Sequence, residues 1–128
     1  MAPGHPLARN LVGFWLLSEG SGGKAFDLSG NNNTGTLYNG VTWKPGKFGS
    51  CLDFAGSDDY VDVTGVTAGQ SHTIAFWGYL KSPPNTESYL VDIQTGRIIV
   101  GMTEDYFQFY DGVAWRGYGV SYGPYLNA

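Results

Sequence analysis

Charge is the scarcest ingredient of this sequence. Only 14% of its 128 residues are Asp, Glu, Lys or Arg, against about a quarter in an ordinary globular chain. Amphipathic helices draw their solvent faces from such residues, so this thin supply argues against a helical domain. The seven Lys and Arg are scattered and outnumbered by eleven acidic residues. That excludes a phosphate-tracking stripe, and nucleic acid as a partner with it. Long apolar runs are missing too: none approaches 18 residues, so no membrane insertion is expected. Cysteine occurs once, which excludes an internal disulfide. Leu52 and Phe54 beside Cys51 make it a small packed strand residue rather than a nucleophile. The first ten residues carry no basic and then apolar leader, so either a leader was removed or the protein reaches its site without secretion.

What is plentiful points one way. Aromatics make up 16% of the chain and glycine occurs 20 times, a mixture suited to short strands and tight turns. The dominant hydrophobic period is two. Strands are expected over 11–17, 25–28, 35–38, 51–54, 60–63, 72–80, 89–93, 97–102, 106–110 and 115–120. The stretch 72–80 is the longest, with Ile74 and Phe76 on one side and Ala75, Trp77 and Tyr79 on the other. Being apolar on both sides, it is expected as a central strand. Ser-Gly and Asn runs, Gly56-Ser57-Asp58-Asp59, Thr95-Gly96 and Asp111-Gly112 supply turns, and Lys44-Pro45-Gly46-Lys47-Phe48-Gly49 is expected as a turn-bearing segment. Turn signals every 8 to 12 residues predict an all-β antiparallel sandwich or barrel. The expected organisation is an arm over 1–10, one domain over 11–120 and an irregular tail over 121–128.

Several motifs then line up in order. Leu11-Val12-Gly13-Phe14-Trp15, Glu19-Gly20-Ser21-Gly22 and Asp27-Leu28-Ser29-Gly30-Asn31-Asn32-Asn33-Thr34-Gly35-Thr36-Leu37 resemble the opening of laminin G-like jelly-roll domains, within the concanavalin A-like lectin/glucanase superfamily. The likeness continues through Gly46-Lys47-Phe48-Gly49-Ser50-Cys51-Leu52-Asp53-Phe54 and Gly56-Ser57-Asp58-Asp59-Tyr60-Val61-Asp62-Val63 to Thr73-Ile74-Ala75-Phe76-Trp77. It covers residues 11 to about 80 and implies a jelly-roll β-sandwich. Beyond Lys81 the family's usual closing strands do not appear. A sandwich short of strands exposes edges and an apolar face. The expectation is that another chain or another copy covers part of the protein; the alternative is that residues 82–128 close a reduced sandwich themselves.

The resemblance also directs attention to chemistry. Glucanases of the superfamily carry two Glu residues on one strand face for acid and nucleophile work. No such strand occurs here, since Glu19, Glu87 and Glu104 fall in or beside turns. His5 and His72 lack a nucleophile elbow, so no enzyme is expected. Family members often bind Ca²⁺, which takes six to eight oxygens. Asp27, Asn31, Asn33, Asp58 and Asp59 are the candidate ligands, if the Asp58-Asp59 turn lies near the Asn-rich loop. The plainer alternative is that Asp27 and the Asn run make Asx-turns. Glycan binding would use aromatic faces, with Tyr79, Tyr106, Tyr110, Trp115 and Tyr118 as candidates and Tyr122 in reserve; the alternative is that most fill a core or interface.

Two roles follow as expectations. One is a virion-surface structural module, a decoration or tail-associated component contacting other subunits and adhering to cell-surface glycans. The other is a lectin-like carbohydrate-binding module of a secreted protein. Both place the chain on a virion surface or outside the cell.

Overall fold

A computed structural model describes residues 9–55, 58–67, 72–79, 88–93, 98–102, 107–111 and 115–118. These hold nine strands and no helix: β1 Lys24–Ala25, β2 Gly35–Tyr38, β3 Thr42–Gly46, β4 Gly49–Asp53, β5 Tyr60–Asp62, β6 Ser88–Ile93, β7 Ile98–Met102, β8 Phe107–Asp111 and β9 Trp115–Tyr118. Every strand pairing is antiparallel. The all-β expectation therefore holds. The chain divides into two compact units, Met1–Val66 and Thr67–Ala128.

The first unit carries a three-stranded sheet of order β1-β2-β5 and a separate hairpin, β3-β4. Its sheet is small because its strands are small. Ala25 is fully buried and faces Gly35 across the β1-β2 pair. Glycine is required there: a Cβ on Gly35 would stand 2.6 Å from Val61 Cγ1 and 3.2 Å from Val63 Cγ2. At the far end of the β2-β5 pair, Tyr38 and Tyr60 oppose each other and stack, with centroids 4.9 Å apart and planes 13° apart. Such a pair adds about 0.5–1.5 kcal/mol beyond its buried area.

The β3-β4 hairpin closes through the two-residue connection Lys47-Phe48, with Gly49 at φ 112°. The segment expected only to bear a turn is thus mostly strand. Pro45 disguises it, but a two-stranded ribbon leaves each strand an open edge where a missing N–H does no harm. The Trp43 indole N–H donates to Gly22 O at 2.7 Å and ties the ribbon to the Gly-rich loop before β1.

Residues 11–17, expected as a strand, make a single β-bridge, Trp15 to Asp27. Leu17 sits at φ 56°, a left-handed conformation that is uncommon for a bulky residue and stops an extended run.

The second unit carries a four-stranded meander, β6-β7-β8-β9. The turns expected at Thr95-Gly96 and Asp111-Gly112 fall on connections outside the described residues, apart from Asp111, which ends β8. A register shift between Tyr89 and Val91 marks an irregularity in β6. Residues 72–79, expected as the longest strand, belong to none of the three sheets.

Candidate functional site

The densest polar arrangement surrounds Asp27. Its Oδ1 accepts from the backbone N–H of Phe14 at 2.9 Å and of Ser29 at 2.8 Å. Its Oδ2 accepts from Ser29 Oγ at 2.7 Å and from the Asn33 N–H at 2.9 Å. The Ser29 contact is an Asx-turn, the local bond by which an aspartate shapes its own loop. Alternate residues of the loop then reach the first segment. Asn31 Nδ2 donates to Leu11 O at 2.7 Å, and Asn33 Nδ2 donates to Val12 O at 2.8 Å. Leu28 N donates to Phe14 O at 2.7 Å, and Trp15 Nε1 donates to Asn33 O at 2.8 Å. Side chains at 27, 29, 31 and 33 thus do for residues 11–15 what a ladder partner would otherwise do. The Trp15 ring folds back over Gly13, where a Cβ would stand 2.0 Å from it. Gly30 and Asn32 supply the left-handed turns, at φ 95° and 59°.

This arrangement fixes the charge on Asp27. Partial burial works to raise its pKa, but the hydrogen bonds from Ser29, Phe14 and Asn33 outweigh it and lower the value from 3.8 to about 2. Each bond favours the ionised form, because only a carboxylate accepts at both oxygens without presenting a proton.

The five candidate calcium ligands do not form one cage. Asn33 precedes the first residue of β2, while Asp58 and Asp59 meet Asn39 and Gly40 just past its last. Six residues of extended chain separate the two ends by roughly 20 Å. Asp59 Oδ1 accepts from Gly40 N at 2.7 Å and its Oδ2 from Ala55 N at 2.9 Å. Both oxygens of Asp27 and both of Asp59 are thus turned to N–H and O–H donors, which a cation would have to displace. Among the described residues no three of His, Cys, Asp and Glu gather closely enough to hold a metal ion. Melting of the purified chain is accordingly expected to be unmoved by EDTA. A calcium-dependent rise in melting temperature would show that an ion, not the backbone, fills Asp27.

Glu19 is also committed to the fold. Its Oε1 accepts from Phe26 N at 2.7 Å, and its Oε2 is buried with no hydrogen-bond partner among the described residues. An open cleft of about 340 Å³ lies nearby, lined by Gly20, Trp43, Lys44, Pro45, Gly49 and Ser50. It contains no carboxylate. It escaped sequence reasoning because its lining brings Gly20 to residues 43–50, more than 20 positions along the chain.

The aromatic candidates separate. Tyr106 and Tyr122 lie outside the described residues. Tyr79 is 87% exposed, and Trp77 near it is 98% exposed. In the meander, Tyr110 opposes Trp115, Ile99 opposes Tyr110 and Asp92 opposes Ile99. Positions directly opposite in antiparallel strands share a face, so Asp92, Ile99, Tyr110 and Trp115 form one row across four strands. Gln108 alternates with Tyr110 onto the same face. Tyr118 opposes Phe107 and falls on the other face, with the positions of Val91, Ile93, Val100 and Phe109. Among the described residues, the proposed glycan positions therefore include one neighbour pair, Tyr110 and Trp115.

No family model matches the sequence, and no curated protein matches it. Among solved structures, the fold is similar to the crystal structure of an S-layer domain-containing protein from Clostridium thermocellum. The TM-score is 0.63 and the identity 23%, over 87% of this chain and 59% of that one. The chain spans less than two-thirds of that structure, and at this identity the likeness is one of fold.

Proposed function

We propose that the chain is a non-catalytic β-sandwich surface module of laminin G-like, jelly-roll type, which works by contact with other protein subunits on a cell or particle surface. The observation that carries this reading is the exposed aromatic run at Phe76, Trp77 and Tyr79, on a segment of strand composition that joins no sheet among the described residues. Apolar surface of this kind marks an interaction site. The fold likeness to an S-layer domain-containing protein supports a cell-surface or extracellular place and association with further subunits. A virion surface, with the module as decoration or tail-associated component, is another setting for the same role. The commitment of Glu19 and Asp27 to backbone donors supports a role without catalysis.

A second reading, glycan adhesion, draws on the row that ends in Tyr110 and Trp115. These two aromatic positions share a sheet face with the positions of Asp92 and Gln108, residue types that sugar sites combine. Light scattering on the purified chain, beside a glycan array, separates the two. Assembly predicts a mass above that of one chain and no sugar signal. A monomer that binds sugars, and loses them in Trp115→Ala, would replace the first reading with the second.

A further inference from the structure

We infer that Asn39-Gly40 is a latent modification site, a one-way latch in the turn after β2 that the Asp58-Asp59 segment holds shut against deamidation. The inference stands apart from the assembly reading and goes beyond it.

Asn39-Gly40 is the one Asn-Gly pair in the sequence. Glycine after asparagine leaves the backbone nitrogen unhindered toward the side chain. In the reaction the Gly40 nitrogen gives up its proton and attacks Asn39 Cγ. The new N–Cγ bond closes a succinimide ring, the Cγ–Nδ2 bond breaks, and ammonia leaves with that proton. Water then opens the ring at one carbonyl or the other, leaving aspartate or isoaspartate at position 39.

The fold itself calls for this labile pair. Asn39 sits at φ 60°, a left-handed value that asparagine accepts more readily than most residues with a side chain. A Cβ on Gly40 would stand 2.8 Å from Asp59 Oδ1, and Asp59 is fixed by its other oxygen, which accepts from Ala55 N at 2.9 Å. Both reacting groups are then occupied. The Gly40 N–H donates to Asp59 Oδ1 at 2.7 Å, and Asn39 Nδ2 donates to Asp58 O. Attack breaks the first bond and departure of ammonia breaks the second. A carboxylate is far too weak a base to remove an amide proton, so it restrains the nitrogen rather than activating it. Both acceptors lie on adjacent residues, so one local opening releases both donors.

The product cannot close the turn again. Aspartate at 39 sets a carboxylate oxygen where an N–H donated to Asp58 O, so two acceptors face each other. Isoaspartate also moves a methylene into the backbone. Each opening that reacts is therefore kept.

Peptide mapping of the full chain with isoaspartate detection reads the rate at position 39. Folded wild type is expected to convert at least about tenfold more slowly than the chain in urea, and Asp59→Ser at least about fivefold faster than folded wild type. Asp27→Ala weakens the same unit without touching the turn and is expected to convert more slowly than Asp59→Ser. Equal rates in folded and unfolded wild type overturn the inference, and so does equal acceleration by the two variants. Hydrogen exchange needs no destabilised variant: the Gly40 amide of wild type is expected to be protected, and its exchange to rise with conversion as urea is added below the unfolding midpoint. A freely exchanging Gly40 amide overturns the clamp. Asn39→Asp, which reproduces the aspartate product, is expected to lower Gly40 protection at least about tenfold. Protection as in wild type overturns the one-way step.

Discussion

Asp27→Ala is expected to destabilise the Met1–Val66 unit by about 2–4 kcal/mol, more than other substitutions in its loop. Four donors lose their acceptor at once: the N–H groups of Phe14, Ser29 and Asn33, and the Ser29 hydroxyl. Bonds to a charged acceptor count about 1.5–3 kcal/mol each, but they are not additive, and the site is open enough for water to replace some of them. Asp27→Asn keeps the shape yet turns an NH₂ group toward donors, so about 2 kcal/mol is expected to be lost. The pH dependence has a definite sign. The folded pKa is lowered from 3.8 to about 2, so the folded state binds fewer protons than the unfolded state between those values. The stabilisation is complete above about pH 4 and fades as the pH falls toward 2. After discounting for solvent screening it amounts to about 1–2 kcal/mol. Urea titrations of the full chain from pH 5 to pH 2, followed by near-ultraviolet circular dichroism, measure it. In Asp27→Asn this part of the acid dependence is expected to vanish. If wild type and Asp27→Asn lose stability in parallel over that range, Asp27 is not the group that clips the loop to residues 11–15.

The same aspartate shows where sequence reading stops. An oxygen-rich loop 27–33 was visible, and both a cation cage and an Asx-turn were open from it. The choice depends on where N–H groups point, which depends in turn on left-handed backbone at Gly30 and Asn32. Composition permits that conformation without requiring it. Where pairing is local and alternation clean, the sequence was sufficient. The strand over 35–38 appears with the expected bounds, and strands β6 to β9 appear within two residues of the stretches expected at 89–93, 97–102, 106–110 and 115–120. Two losses have a common cause. The apolar runs at 11–17 and 72–80 read as the strongest strands because they are hydrophobic on both sides, but hydrophobicity measures fitness for burial, not the presence of a ladder partner. The first is held by side chains of its neighbour loop, and residues 72–79 of the second join no sheet among the described residues. The hairpin β3-β4 was hidden by Pro45, since proline usually argues against a strand. The glycan candidates were chosen as exposed aromatics without a register. Alternation along β9 places Trp115 and Tyr118 on opposite faces, and the pairing with β8 shows which of them shares a face with Tyr110.

Gly35→Ala, a single added methyl, is expected to cost the three-stranded sheet about 1–3 kcal/mol. Alanine is ordinarily no worse than glycine in a strand and loses less chain entropy on folding, so intrinsic preference alone predicts a small gain. Geometry reverses the sign. The new Cβ would lie 2.6 Å from Val61 Cγ1 and 3.2 Å from Val63 Cγ2, with Ala25 Cβ at 3.5 Å on the other side. Neither valine can give way cheaply, because a β-branched side chain has few rotamers, and Val61 is held on β5 opposite Leu37. The methyl must separate β2 from β5 and so disturb the Tyr38–Tyr60 stack at the other end of the pair. Val61→Ala removes the obstructing Cγ1 at a cost of about 1 kcal/mol when made alone. Together the two substitutions are expected to destabilise less than the sum of their separate effects, by about 1 kcal/mol or more. Denaturant midpoints of the four chains complete the cycle. Additive behaviour would mean that the valine does not press on position 35, and a stabilised Gly35→Ala would mean that the close β2-β5 approach, on which this sheet is built, is absent.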